Sequence, residues 1–245
     1  MISFFHAILY VPIYNLLIFF VDIIPNGDVG VAVILVTIVV KLIISPFSIS
    51  ATKTQRRMKF VEPQMKEIRE KYKDDREMQA KETLSLYKNN GIKPFSSILV
   101  MFLQLPVIIA LYYVFRHEHL LSPNTALIYH FVALPTHISP LFLGIFPTTG
   151  HVLTLAAIAA LFQFFQAYVT IPVPEKVKGA KTATTEDFAR AMSIQSRFVL
   201  PIIIGVIAYT AGALALYFIT SSIAGILQEY YVRYQLRYLN KPKEV

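Results

Sequence analysis

A single lysine, Lys41, interrupts an apolar run covering residues 29–44, and no other charge lies between Asp28 and Lys53. Nothing else in the chain restricts its fold so strongly. A run this long and apolar reads as a membrane-spanning helix. At about 1.5 Å of rise per residue, Lys41 sits roughly 18 Å from the start of the run, near mid-bilayer or just beyond. Holding a cation there costs about 2.5–3.5 kcal/mol on insertion scales unless water or a partner reaches it. A lysine near a helix end can snorkel to the interface, but the next positive charge is as far away as Lys53. A charge serving a wet intramembrane cavity is the sharper reading.

Composition supports the membrane assignment independently. The 245 residues are 55% hydrophobic and contain several further apolar runs long enough to cross about 30 Å of hydrocarbon. The expectation is one membrane domain over residues 1–245, with no separate soluble domain. Cysteine is absent, which excludes disulfides, thiol nucleophiles, Cys-ligated metals and a lipidated N-terminal Cys. The formal charge is +8, and its distribution argues against DNA as a partner. Of 23 Lys and Arg residues, 12 lie in residues 50–93, five in 174–197 and four after Tyr231. Clustering in alternate connecting segments is the positive-inside pattern. It places those segments, and the C-terminus, in the cytoplasm of a cell-membrane protein.

Five spans follow: residues 29–49, 94–115, 151–173, and two more within 198–234 that turn near 210–212. Residues 116–150 are then external. The first span of the last pair is short unless it starts back near Met192, and a short span thins the bilayer locally. Residues 2–24 are apolar but interrupted by Pro12, Asn15 and Asp22. A span or an external interfacial helix both fit there. The segment is a poor secretory signal, with no basic start and no small-residue cleavage site. Residues 52–90 read as a helical hairpin. Asp74-Asp75 mark its turn and Asn89-Asn90-Gly91 its end. Its sparse apolar positions fit a solvated spacer or a docking arm for another macromolecule.

Thr37, Lys41, Ser45 and Ser48 fall on one face of a helix. Gln104 reaches a comparable depth in the second span. Gln163, Gln166 and Thr170 form a polar stripe in the third, and Tyr217, Ser221 and Gln228 another in the fifth. Any one such residue often does no more than hydrogen-bond a neighbouring helix, for about 0.6 kcal/mol. Four helices with stripes mostly in the same half point to a shared hydrophilic groove, open inward and closed outward. The spans are read as carrying no acidic residue that neutralises Lys41, so water is its expected solvent. His117, His119, His130, His137 and His151 all fall in the external region, but no Glu joins them. They read as interfacial rather than as a metal site. With no nucleophile constellation and no phosphate loop, neither an enzyme nor a cofactor is expected.

The chain resembles the YidC family of membrane protein insertases, which includes mitochondrial and chloroplast relatives. The resemblance is carried by VGVAVILVTIVVKLIISPFS from Val29, KYKDD at the hairpin turn, LYKNNGIKPFSS, LVMFLQLPVIIALYY through Gln104, RFVLP ending at Pro201, and AGALALYFITSS through Tyr217. No piece is a catalytic signature; their order and spacing are specific together. The resemblance implies an all-α polytopic fold: five spans around an inward-open groove, a cytoplasmic hairpin over residues 50–93, and an external interfacial helix within residues 1–28. Lys41 falls where the family usually has its groove Arg, with Thr37 and Gln104 lining the groove, and Pro106 and Tyr217 match motif positions. Three departures stand out. Lys replaces Arg, which keeps the charge but loses the bidentate fork. One extra residue lies between Gly212 and Tyr217. The lipoprotein Cys and large periplasmic domain of some relatives are absent.

The expected function is therefore insertion of client membrane proteins. The client-binding groove is assigned to Lys41, Thr37, Ser45, Gln104, Gln163, Gln166 and Tyr217. Expected partners are nascent membrane proteins and the lipid bilayer. The Sec translocon, and a ribosome or targeting factor, would be reached through the hairpin and the C-terminal tail. Two rivals remain: a small anion or solute transporter using Lys41, and an intramembrane enzyme. Continuous polar lining through the outer half would favour the transporter, and that half is largely apolar.

Overall fold

Backbone polar groups in hydrocarbon must be satisfied within their own segment, so long apolar runs become helices. The computed structural model describes residues 5–93, 95–117, 123–171 and 185–239. His119, the lysines around Lys176 and the C-terminal tail after Leu239 lie outside the described residues. Among the described residues eight α-helices form: α1 (Val11–Ile23, preceded by a π-helical turn, His6–Tyr10), α2 (Val29–Phe60), α3 (Glu62–Lys71), α4 (Arg76–Asn89), α5 (Phe95–His117), α6 (Leu153–Thr170), α7 (Thr185–Tyr209) and α8 (Gly212–Leu239). A two-stranded antiparallel ribbon, β1 (Leu141–Phe142) with β2 (Phe146–Pro147), is the only sheet among the described residues. The fold is all-α.

By length and composition, five stretches among the described residues can cross a membrane: His6–Ile23, Val29–Phe60, Leu153–Thr170, Ala191–Tyr209 and Gly212–Leu236. Helix α5 adds a shorter apolar stretch, Phe102–Val114. The N-terminal stretch thus qualifies by length, one of the two alternatives open for residues 2–24, and α5 occupies the expected second span. Helix α7 decides between the two alternatives for the fourth span: its apolar stretch begins at Ala191, next to Met192, and gives a span of ordinary length.

Helix α2 continues through the expected membrane boundary as far as Phe60 and kinks at Val61, where the backbone bonds continue from Val61 N to Arg57 O and from Met65 N to Val61 O. Pro63 supplies the reason. It has no N–H to donate, which is tolerated only in a first helical turn, and it sits at the start of α3. Helices α3 and α4 bury none of their residues. They are held at the base instead. Val61 and Ile92 are buried, and the Arg57 guanidinium donates to the Gly91 carbonyl at 3.0 Å, a favourable place for a cation at a helix C-terminus. Asp75 caps α4 by accepting from Met78 N–H at 3.0 Å.

The chain divides into two compact units. One comprises Met1–Leu42 with Leu105–Leu227, the other Ile43–Gln104 with Gln228–Val245. In the first unit α6 packs on α7 through small residues. A Cβ placed on Gly205 would lie 3.1 Å from the Ala160 Cβ, the close approach that small side chains permit in membranes. Arg197 of α7 lies over the Tyr168 ring at 4.8 Å and donates from Nε to the Ile171 carbonyl at the end of α6.

Candidate functional site

Along the first turns of α2, Val29, Ala32, Val33 and Val36 have almost no exposed surface. Thr37 follows, fully buried, its hydroxyl donating to the Val33 carbonyl at 2.7 Å. One turn later Lys41 is only half-buried. The helix thus passes from a sealed apolar end to a partly open stretch at the depth of the cation. Ser45, a further turn along, is half-buried too, as is Gln104 on α5; both belong to the second unit.

Gln163 and Gln166 face α8. The Gln163 Oε1 accepts from the Ser222 hydroxyl at 3.0 Å, and the Gln166 amide lies where a Cβ on Gly225 would sit. Tyr217 is buried on α8, its ring edge-on to Phe218 at 5.1 Å. The α6 stripe therefore joins two helices of the first unit through polar contacts.

The apolar stretch of α8 does contain an acid, Glu229, and the partners described for it are arginines. This α8 residue has a side chain only 3% exposed and is bound by two arginines. Arg56 of α2 bonds it through Nε, at 2.6 Å, and Nη2. Arg233 donates from Nε at 3.0 Å. Beside them Gln228 donates to the Thr52 hydroxyl at 3.0 Å. The Glu229–Arg233 spacing of four residues was a readable helical pair; Arg56, far away in sequence, was not.

A second missed set lies at the opposite end of α2. Asp28 is buried and accepts from Val31 N–H at 3.0 Å and from Leu143 N–H at 2.7 Å. Ser139 exchanges backbone bonds with Gly27 and Val29. The Tyr14 hydroxyl accepts from Asn124 N–H at 2.8 Å. Asn15 donates to the Leu127 carbonyl at 2.8 Å and accepts from Tyr129 N–H at 2.7 Å. Thr148 receives Ala213 N–H at 2.8 Å at the start of α8, and His151 stacks on Tyr209. Residues 123–150 thus form a bonded cap over the starts of α2 and α8. Asn15, which looked like an interruption of an apolar run, is a fastening of that cap. Among the described residues no group of three or more His, Cys, Asp or Glu is placed to hold a metal ion.

The family model described as "60Kd inner membrane protein" matches residues 19–240. A membrane protein insertase YidC of Clostridium tetani is 32% identical over 175 residues, covering 71% of each chain. The chain belongs to the YidC family. A YidC insertase of Fusobacterium nucleatum is 27% identical, with 90% of this chain and 96% of the relative covered. One from Prosthecochloris aestuarii is 28% identical over 90% of this chain but only 35% of its own length. As a YidC-family member the protein is a multi-pass protein of the inner or plasma membrane, consistent with its long apolar helices.

Proposed function

We propose that the protein is a non-enzymatic insertase that passes client membrane proteins through an inward-open groove carrying Lys41. The observation behind this reading is the change along α2, from sealed apolar turns to a partly buried cation at mid-span depth. A client's hydrophilic end enters beside Lys41, so its polar atoms avoid hydrocarbon. Thr37, Ser45, Gln104, Gln163, Gln166 and Tyr217 complete the groove set on the strength of the sequence pattern. The client's apolar helix then moves along α5 and α7 into lipid. Support comes from the exposed Leu105, Ile109 and Tyr113 on α5, and Phe198, Ile202 and Val206 on α7. Apolar burial, worth roughly 25 cal/mol per Å², drives the step without a nucleotide.

In this reading the three basic segments and the C-terminus are cytoplasmic, and α3–α4 form the cytoplasmic hairpin that meets a ribosome, a targeting factor or the Sec translocon. Helix α1 lies on the external interface. The middle of α1, at Tyr14 and Asn15, bonds the irregular backbone of residues 124–129, and such backbone is not tolerated against lipid at mid-bilayer depth.

The test is client insertion into reconstituted vesicles, read as protease-protected client. Lys41→Arg should retain insertion, because charge is what the position supplies. Lys41→Ala and Lys41→Glu should weaken it for clients with acidic translocated ends. Normal insertion of every client by Lys41→Ala would refute the groove-charge reading.

A further inference from the structure

Residues 123–150 contain no Lys, Arg, Asp or Glu, although about a quarter of residues in an ordinary soluble domain are charged. The ribbon β1–β2 within this segment ends in a turn that is unusual twice over. Leu143 and Gly144 both have positive φ, +53° and +72°, and Ile145 N–H returns to the Phe142 carbonyl. Asn, Asp and Gly normally fill the two central positions of such a turn, and a bulky residue there is strained. Yet Leu143 is 64% exposed and Ile145 70% exposed, while nothing in the protein approaches the Cβ position of Gly144. The turn holds two apolar side chains outward, with nothing of the fold over them.

The depth of this turn is fixed. The Phe142 ring covers Gly30, where an added Cβ would lie 2.5 Å from the Phe142 Cβ. Asp28 holds Leu143 N–H at 2.7 Å. The tip is therefore level with the first turn of α2, the end of a membrane span. Leu153, the first residue of α6, is likewise exposed, as are Phe131 and Leu134 in the cap. An uncharged, aromatic-bearing surface at that level matches the boundary between headgroups and acyl chains.

We propose that the Leu143–Gly144–Ile145 tip inserts into the bilayer leaflet on the capped side and anchors the cap to lipid. The occupant is the lipid surface itself, continuous with that contacted by the spans. Insertion gives the strained Leu143 conformation a purpose: it points an apolar side chain away from the protein and into the acyl boundary. The inference requires only that α2 crosses the bilayer, and it does not depend on the role of Lys41.

The chain lacks cysteine, so single labels can be placed directly. Nitroxide labels on Leu143→Cys and Ile145→Cys, with Lys73→Cys at the exposed α3–α4 turn as the aqueous reference, are compared in lipid nanodiscs. The readout is collision with oxygen, which concentrates in lipid, against collision with a water-soluble nickel chelate. The oxygen-to-nickel ratio at 143 and 145 should exceed that at 73 several-fold. A ratio equal to the reference would put the tip in water and overturn the proposal. Shielding from both reagents would mean that protein covers the tip, and would overturn it equally. Two tip positions keep the test decisive if one labelled variant does not fold.

Discussion

Residues 123–150 contain two two-residue strands and a single 3-10 turn, whereas α3 and α4 are helical over nearly their whole length. Burial runs the other way. Asn15 and Asp28 are buried where they bind the cap, and Thr148 where the cap meets α8, but α3 and α4 bury no residue. Regular secondary structure and tertiary order are thus supplied by different means here. A helix satisfies most of its backbone groups within itself, leaving only those at its ends to other partners. An irregular segment near a membrane must find each partner elsewhere, and those partners tie it down. The helix pair suits a movable arm, the cap a fixed closure.

The sharpest way to break this comparison is Asp28→Ala, which orphans the Val31 and Leu143 amides. Each bond to a charged group contributes about 1.5–3 kcal/mol, so a loss of about 3 kcal/mol is expected. It would be measured by thermal unfolding in lipid–detergent micelles, with faster hydrogen exchange at Leu143. Asn15→Leu comes next. It leaves Leu127 O and Tyr129 N–H without their partner and should cost about 2 kcal/mol. A neutral result there would detach α1 from the closure.

Gly30→Ala drives a methyl into Phe142 and should cost about 1–2 kcal/mol through overpacking. Phe142→Leu in the same chain should recover part of the loss, and that coupling would confirm direct contact. The smallest stability effect belongs to the arm. Removing matched turns of α3 and α4 about Asp74-Asp75 should change unfolding by less than about 0.5 kcal/mol while reducing protease-protected client. Loss of folding would show that the pair belongs to the core, and full insertion would reduce it to a spacer.

Much of the helical framework was legible because period and polarity are local. The breaks at Asp74-Asp75 and near residues 210–212 fall where turn chemistry put them, and α8 starts at Gly212. Helix α7 opens with polar turns, which left its start open between Phe198 and Met192 in the sequence; its apolar stretch begins at Ala191. Lys41 drew attention as a charge in an apolar run. Glu229 escaped it because one of its two partners, Arg56, is 173 residues away in sequence.

By itself the sequence determined the class of protein: long apolar runs with basic connecting segments leave only a helical membrane fold, since hydrocarbon offers backbone groups no alternative partner. It also determined that a cation sits within a span. Only the tertiary structure decided which contacts the polar residues make. Gln163 and Gln166 contact α8, Glu229 pairs with two arginines, and Asn15 and Asp28 hold residues 123–150 in place. The physical reason is that a polar side chain's role depends on the atom it bonds. In each of these cases at least one such atom lies on a segment distant in sequence, beyond any local pattern.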